Sequence, residues 1–446
     1  MNDALGIFVR ADTGDDAAAG TRDAPVQTLT KAIALAKAHG KRVYACGEQY
    51  FEEAIVVPSG MEIFGSLRCD DGWKWDPTQN TSLAGPADTI AVKLLSGAGK
   101  TRLVDLDVVA GNADAQGGSS IGVLASEAEV EILRGSVSAG DAMDGADGDS
   151  WPVSATAGPD GVDAFANPSC GGANAKGRTG ANNASCGSQG GDGGSSVNGK
   201  GQDGQSGLPA PGGYGGLGDN SNGSVTSCKD GHEGTPGTVG SSGAGGTGIG
   251  SISGDGYHGI PGQNGGFGTV GHGGGGGGSS YGCDFSAGGK LGGASGGAGG
   301  CGGGGGRGGR PGGSSIALVS IDSIIHVSGT ALIARDAGAG GRGAYAQLGG
   351  SGGDGGDGVQ VVVKSFGTDV VYKSCSGGDG GDGGKGGLAG GAAGGHSVTL
   401  AYSGNAPSID GTVVLKHQTG GTGGLGTGNA QLNKGSDGLG QDMLEL

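Results

Sequence analysis

The chain has 446 residues, of which 117 are glycine, 13 proline and 8 cysteine, and its formal net charge is −17. A surface this acidic excludes binding to a nucleic-acid backbone or to anionic membrane. So few prolines exclude collagen, and 4% aromatics exclude a large conventional core or a long sugar-stacking groove.

Residues 6–9 read as a short strand and 11–24 as an Asp/Gly/Ala loop. From Thr28 to His39 the residues Leu29, Ile33 and Ala36 recur at helical spacing, and Gly40 ends the pattern. Strand-like runs then follow at 42–45, 54–57, 61–64, 90–95, 103–109, 121–125 and 130–133, with Gly, Asp and Ser between them and no further helix. Short strands in close succession predict a sandwich, a barrel or a β-solenoid. Cys46 and Cys69 lie 23 residues apart, close to one coil of a solenoid. Stacked coils lie about 4.8 Å apart, within reach of a disulfide. A Cys46–Cys69 bridge is therefore expected.

Two features inside this region invite a chemical reading. Asp105 and Asp107 alternate within a predicted strand and so share a face, as a glycosidase acid–base pair would; the plain reading is a solvated strand face. Residues 96–101 look like a phosphate loop, but Leu94 stands where the motif needs glycine and no helix follows, so this is a turn.

Glycine dominates from about 135 to 428, often with one other residue at every third position, as in residues 377–385 and 349–357. Period three fits neither helix nor strand. It fits an extended left-handed helix of three residues per turn and about 3.1 Å rise. Asp379, Asp382, Lys385 and Leu388 then lie along one edge, roughly 9 Å apart, and the bare edges admit neighbouring backbones. Two pure runs, Gly273–Gly278 and Gly302–Gly306, are expected at the centre of such a bundle, with Gly273, Gly275, Gly278, Gly302, Gly304 and Gly306 in its core. The GGX segments are expected at its rim, with Asp keeping the edges wet and apart. Calcium repeats of period nine are a different pattern.

A repeat survives the glycine: strand, short turn, strand, arm. It occurs at 119–132, 314–334, 359–372 and 397–415, so arms leave from one corner of successive coils. One arm is long (135–313) and three are short (336–358, 375–395 and 418–428). Three regions follow: an N-terminal cap and first coils (1–134), a long glycine-rich insertion (135–313) and the remaining coils with short arms (314–446). The even cysteine count fits disulfides in an exported protein. Spacing points to Cys170–Cys186 and Cys283–Cys301 as closures of arm turns, leaving Cys228 with Cys375. No CxxC occurs and the seven histidines are scattered, so neither a metal nor a cofactor is expected. Residues 257–261 and 280–285 break the glycine pattern and read as arm tips, where Tyr257, His258, Tyr281 and Phe285 are candidate contacts. Trp73 and Trp75 lie in a loop and could touch a ligand or pack beneath it. His326 alternates with Ile325 and Val327 and should face solvent.

The stretch Ile7-Phe8-Val9, Asp12-Thr13-Gly14, Gly20-Thr21 to Pro25 and Thr28-Leu29, followed by a helix and Val43-Tyr44-Ala45-Cys46, resembles the opening of pectin-lyase-like right-handed β-helix proteins. Cys46, Phe64-Gly65, Cys69 and Trp73-Lys74-Trp75 are similar to secreted bacterial members. The arms resemble the GGxGG repeats of mycobacterial surface proteins and the polyglycine bundle of phage tail-fibre adhesins. The resemblance implies an all-β fold: a right-handed parallel β-helix with an N-terminal capping helix, its arms packed as a polyglycine II bundle. The expected function is non-enzymatic, an exported or cell-surface structural or adhesive protein contacting a glycan or cell-surface ligand. A carbohydrate-active β-helix enzyme (polysaccharide lyase or hydrolase) is the alternative, and binding to ice or another crystal surface a third. No apolar run is long enough for membrane insertion. Residues 1–3 are acidic where an export signal is basic, so the chain is expected to be a mature form.

Overall fold

The computed structural model describes residues 1–167, 174–219, 228–283, 288–365, 367–427 and 432–446. Among the described residues the one α-helix is Leu29–His39. The Thr28 hydroxyl caps it by accepting from the Lys31 amide, and Gly40 closes it in the left-handed region at φ 63°. Leu29, Ala32, Ile33 and Ala36 are buried against the first strands, so the helix covers the end of the core.

The strands outside the glycine-rich arms form a parallel β-helix. In one sheet the strands Gly6–Val9, Arg42–Cys46, Glu62–Arg68, Lys100–Val104, Glu129–Ser138 and Ile324–Ile333 follow one another in parallel. In a second sheet the order is Ile55–Val57, Ile90–Leu94, Ser120–Ser126, Ser315–Ile321, Ser397–Ser403 and Gly440–Glu445, again parallel. The core lies between the two sheets. Val92, Val123, Leu318 and Leu400 stack in register from coil to coil, opposite Ile63, Leu103, Ile132 and Val327, and all eight are buried. Each such side chain contributes roughly 1.5–3 kcal/mol. The β-branched and leucine alternation, rather than aromatic bulk, thus fills a narrow core.

The arms leave from one corner. They depart after Ser138, Ile333 and Lys416, and return at Ser315, Ser397 and Gly440. The opposite corner is tight: Ser126 to Glu129 and Ile321 to Ile324 are short turns. Insertions at a single corner leave strand register untouched, which is why Val123 still pairs with Leu318.

The period-three segments lie side by side, joined by backbone hydrogen bonds. Gly273–Gly278 is buried within the bundle. Gly273 and Gly276 donate to Leu208 and Gln205, Gly274 and Gly277 to Gly297 and Ala294, and Gly275 and Gly278 to His232 and Lys229, at 2.8–3.0 Å. Their carbonyls accept from 213 and 216, from 191 and 194, and from 378 and 375. Six chain segments therefore surround one run of six glycines, each segment bonded to amides or carbonyls three residues apart.

The second run differs in part from its expectation. Gly304 and Gly306 are buried, but Gly302 is only half-buried. Chain segments flank this run at 265–268, 347–350 and 384–387, and the remaining side is closed by side chains. The Trp151 indole donates to the Gly305 carbonyl, and Gln347 accepts from the Gly304 amide. The more deeply enclosed stretch is 292–300, where Ala294, Ser295 and Ala298 are fully buried.

Two further expectations are corrected. Residues 359–372 are not a coil. Gln360–Ser365 and Thr368–Lys373 form an antiparallel hairpin pairing with itself. Alternating apolar residues cannot distinguish a coil from a hairpin, and here the hairpin joins segments 336–358 and 375–395 into one arm. The cysteine pairing also differs. Cys46–Cys69 and Cys228–Cys375 are bonded, with Cα separations of 5.7 and 5.9 Å, but Cys186 is bonded to Cys301. That bond displaces both Cys170–Cys186 and Cys283–Cys301. The neighbour of 183–188 in the bundle is the central segment, not the next turn of the same arm: Gly299 donates to the Ser188 hydroxyl and Asn183 donates to the Gly299 carbonyl. Cys170, and the side chain of Cys283, lie outside the described residues. Three disulfides fit an extracellular or otherwise oxidising environment. Among the described residues no helix is long and apolar enough to cross a membrane.

Candidate functional site

The loop stapled by Cys46–Cys69 separates its two tryptophans. Trp73 is buried edge-on against Phe8 at 4.8 Å and donates its indole N–H to the Arg22 carbonyl. Trp75 pairs through its backbone with Leu67 and leaves 50% of its surface exposed. Beside it lies an open cleft of about 430 Å³, bordered by Phe64, Leu67, Trp75, Asp105, Arg134 and Met1. Sequence reasoning could not rank the two rings, because which one faces inward depends on the loop's turn.

Asp105 is not part of a continuous strand, contrary to expectation. It sits at a bend between Lys100–Val104 and Asp107–Val109 with φ 55°. Arg134 and Gly329 take the same left-handed conformation at the corresponding place in the following coils, and Ser66 does so one residue further along in the preceding coil. The alternation that would have aligned Asp105 with Asp107 is broken there. Each carboxylate has its own partner. Asp105 accepts from Nε and Nη2 of Arg134, both at 2.8 Å, and Asp107 accepts from the Ser136 hydroxyl at 2.7 Å. The bonds to Asp105 push the Arg134 guanidinium up from its ordinary range. The cleft thus offers an exposed indole beside a fixed, paired guanidinium with further N–H groups to donate. An apolar ring face next to a planar donor suits a sugar ring.

Residues 96–99 form a turn, as expected, and Lys100 beyond it reaches Glu129 and Glu131 at 3.2 and 2.8 Å. Across the outer face of the same sheet Glu62, Arg102, Glu131 and His326 stand in register. Arg102 bridges Glu62 and Glu131, and the bond from Lys100, followed by that from Arg102, holds the Glu131 carboxyl below its ordinary range against the opposing effect of burial. His326 is exposed, as its alternation predicts.

At the bundle rim the period-three side chains point outward: Asp379, Asp382 and Lys385 are exposed and Leu388 half-buried. The aspartates do more than solvate. Asp144 and Asp147 accept from the amides of Ala339 and Arg342. Asp160 and Asp163 accept from Asp354 and Asp357, and Asp379 and Asp382 from Gly355 and Gly352. A rim segment lacks a chain on one side, and the carboxylates of its neighbour take the place of that chain's carbonyls. The signal was available as Asp recurring every third residue at 141, 144 and 147. Larger side chains on the rim include Tyr214, Phe267 and Tyr345, 67–75% exposed.

The expected tips are reversals, but their side chains differ in role. Ser251–Ser253 and Gly256–His258 form a hairpin, and Ser280–Cys283 pairs antiparallel with Gly288–Gly292. His258 is exposed and bonds to Ser253. Tyr257 instead packs on the second sheet, and Tyr281 is half-buried. Phe285 lies outside the described residues. Among the described residues no group of three or more His, Cys, Asp or Glu is placed to hold a metal ion.

Fold and surfaces together define a parallel β-helix carrying a backbone-bonded bundle of glycine-rich arms. A family described as "Protein of unknown function (DUF1565)", which is associated with β-helix proteins, matches residues 12–102, the region of the capping helix and first coils. No curated protein matches the chain.

Proposed function

We propose that this is a non-enzymatic, exported structural or adhesive protein of the cell surface. Its solenoid is read as pectin-lyase-like and right-handed, and its arms as a polyglycine II bundle. The observation that carries the reading is the enclosure of Gly273–Gly278 by six chain segments. It supports a rigid body that holds side chains outward at regular intervals without needing a large apolar core. The cleft beside Trp75 supports a glycan as the contacted ligand, because it joins an exposed ring to the Arg134 guanidinium. The same cleft is bordered by Asp105 and so keeps the carbohydrate-active enzyme as a second reading. Retention on immobilised glycans and on cell surfaces tests the first: it should fall when Trp75 or the arm tips are replaced. Cleavage of an acidic polysaccharide that Asp105→Asn abolishes would establish the second instead.

A further inference from the structure

The outer face of the second sheet is apolar, unlike that of the first. Ile121, Ile316, Val319 and Val398 are buried there, and the hairpin Ser251–Ser253/Gly256–His258 packs on them through Ile252 and Tyr257, alongside Ile321 and Leu446. The cover comes from the long insertion and is lightly seated. A cavity of about 450 Å³ opens beneath it, between Ile90, Lys93, Ile121, Asp255 and Tyr257.

Its ends are tied by the Ala393 amide, which donates to the Ile260 carbonyl, and by Lys93, which reaches the Gly254 carbonyl; the attachment at Ile249 passes through one imidazole. His396, which directly precedes Ser397–Ser403, is 1% exposed. Its Nε2 lies 2.8 Å from the Ile249 carbonyl, and its Nδ1 accepts from the Leu439 amide at 2.9 Å. A carbonyl can only accept and an amide can only donate, so the ring is the neutral tautomer protonated on Nε2. Tyr257 rests edge-on against it at 5.4 Å and donates its hydroxyl to the same Ile249 carbonyl. Leu439 directly precedes Gly440–Glu445, the last strand of that sheet.

We propose that residues 249–260 are an acid-released strap over the outer face of the second sheet, latched by His396. Protonation places a second N–H on Nδ1, facing the Leu439 N–H. The two donors oppose each other at Nδ1, while the Nε2–H bond to the Ile249 carbonyl is kept; the clash is relieved when the 439 segment moves away, and the cost of the buried cation when the 249 segment lifts and admits water to the ring. The groups around the ring offer no counter-charge. From the hairpin the titratable group in contact is Tyr257, whose hydroxyl burial pushes up to about 12. From the last strand Asp442 is engaged by His417 at 3.8 Å. From the Ser315–Ile321 side the contact is the Ser314 hydroxyl, which accepts from the His396 amide. At the far end of the hairpin Lys93 reaches the Gly254 carbonyl and Asp255 borders the cavity. Among the described residues His396 has no ion-pair partner. Burial lowers its pKa from the ordinary imidazole value. The sign follows: the closed strap is fully favoured above that ordinary value and is lost as pH falls through the window below it.

Hydrogen exchange on the full chain, corrected for the intrinsic effect of pH, tests the strap at about pH 7.5 and about pH 5. Amides of 249–258 and 440–445 should lose protection at the lower pH, by up to about tenfold per pH unit within the window, with binding of an apolar dye to the uncovered face. His396→Gln supplies one donor and one acceptor without titrating and should remove the pH dependence. Equal protection of wild type at both pH values, or the same loss in a folded H396Q, overturns the proposal. The NMR titration of the His396 ring in wild type decides the matter without any variant: its midpoint must coincide with strap opening, and titration without opening refutes the latch.

Discussion

The carboxylate of Asp382 accepts the amide N–H of Gly352 at 2.9 Å, across 30 residues of sequence. That amide has no chain segment to donate to, so the carboxylate is its partner. In Asp382→Ala the Gly352 amide should exchange several-fold faster while amides at 274–277 stay unchanged. Asp382→Asn, which keeps an acceptor oxygen, should recover most of the protection. Residue-resolved hydrogen exchange measures both, and unchanged exchange at Gly352 in D382A would remove the edge role assigned to the aspartates.

Central and peripheral glycines should differ sharply. A Cβ on Gly275 would lie 2.1 Å from the Tyr214 carbonyl oxygen, a backbone atom that cannot rotate away. Gly275→Ala should therefore cost about 1–3 kcal/mol through overpacking. Gly411 has nothing within 4 Å of its Cβ direction, and Gly411→Ala should be close to neutral. Paired thermal melts compare the two, and similar shifts would contradict the enclosed position of Gly275.

The Cys186–Cys301 bridge spans 115 residues. Replacing both cysteines by alanine should lower stability by about 2–4 kcal/mol, chiefly by freeing the unfolded chain. Peptide mapping under non-reducing conditions checks the pairing itself: a 186–301 cross-linked peptide is expected, and a 283–301 peptide would refute it.

Acid should loosen the end of the bundle. The hydrogen bond from Lys434, together with that from the Gly423 amide, holds the Asp437 carboxyl below its ordinary range. The Ser328 and Thr412 hydroxyls hold Asp410 down to about 2. For a carboxyl depressed on folding, the stabilisation is fully present above the unfolded pKa of about 4 and is lost as pH falls through the folded value. Melting temperatures should decline from about pH 4 downward, and less steeply in Asp437→Asn. An identical decline in that variant would exclude Asp437 as a contributor.

Trp73 and Trp75 should separate stability from binding. Trp73→Ala empties a buried aromatic cluster and should cost about 3–5 kcal/mol. Trp75→Ala removes a half-exposed ring, should leave the melting temperature nearly unchanged, and should reduce glycan retention. If retention survives W75A, the cleft is not the contact.

What could be read in advance was whatever depends on side-chain period. Leu29, Ile33 and Ala36 announced the capping helix, and the bare run Gly273–Gly278 announced a segment that other chain segments can enclose. Partner choice was hidden wherever two arrangements share one local pattern. Val361 and Val371 alternate as well in a hairpin as in a coil. Cys186 could close its own turn or cross to Cys301, and spacing along the chain does not report which segment lies beside which in the bundle. The bend at Asp105 was invisible because neither Asp105 nor Arg134 is glycine, yet both take positive φ. The fold was thus more legible than the cleft, whose residues come from three coils and a stapled loop.

The direct pairing of Ser120–Ser126 with Ser315–Ile321 also orders events in time. The first coils are contiguous in sequence while the next strand of their sheet lies beyond the glycine insertion, so a folding solenoid holds an open parallel edge until that strand docks. Contacts this remote in sequence make folding slow. During that interval the folding chain is at its most prone to pair with a copy of itself. Refolding at increasing protein concentration should expose that window as a falling yield of monomer.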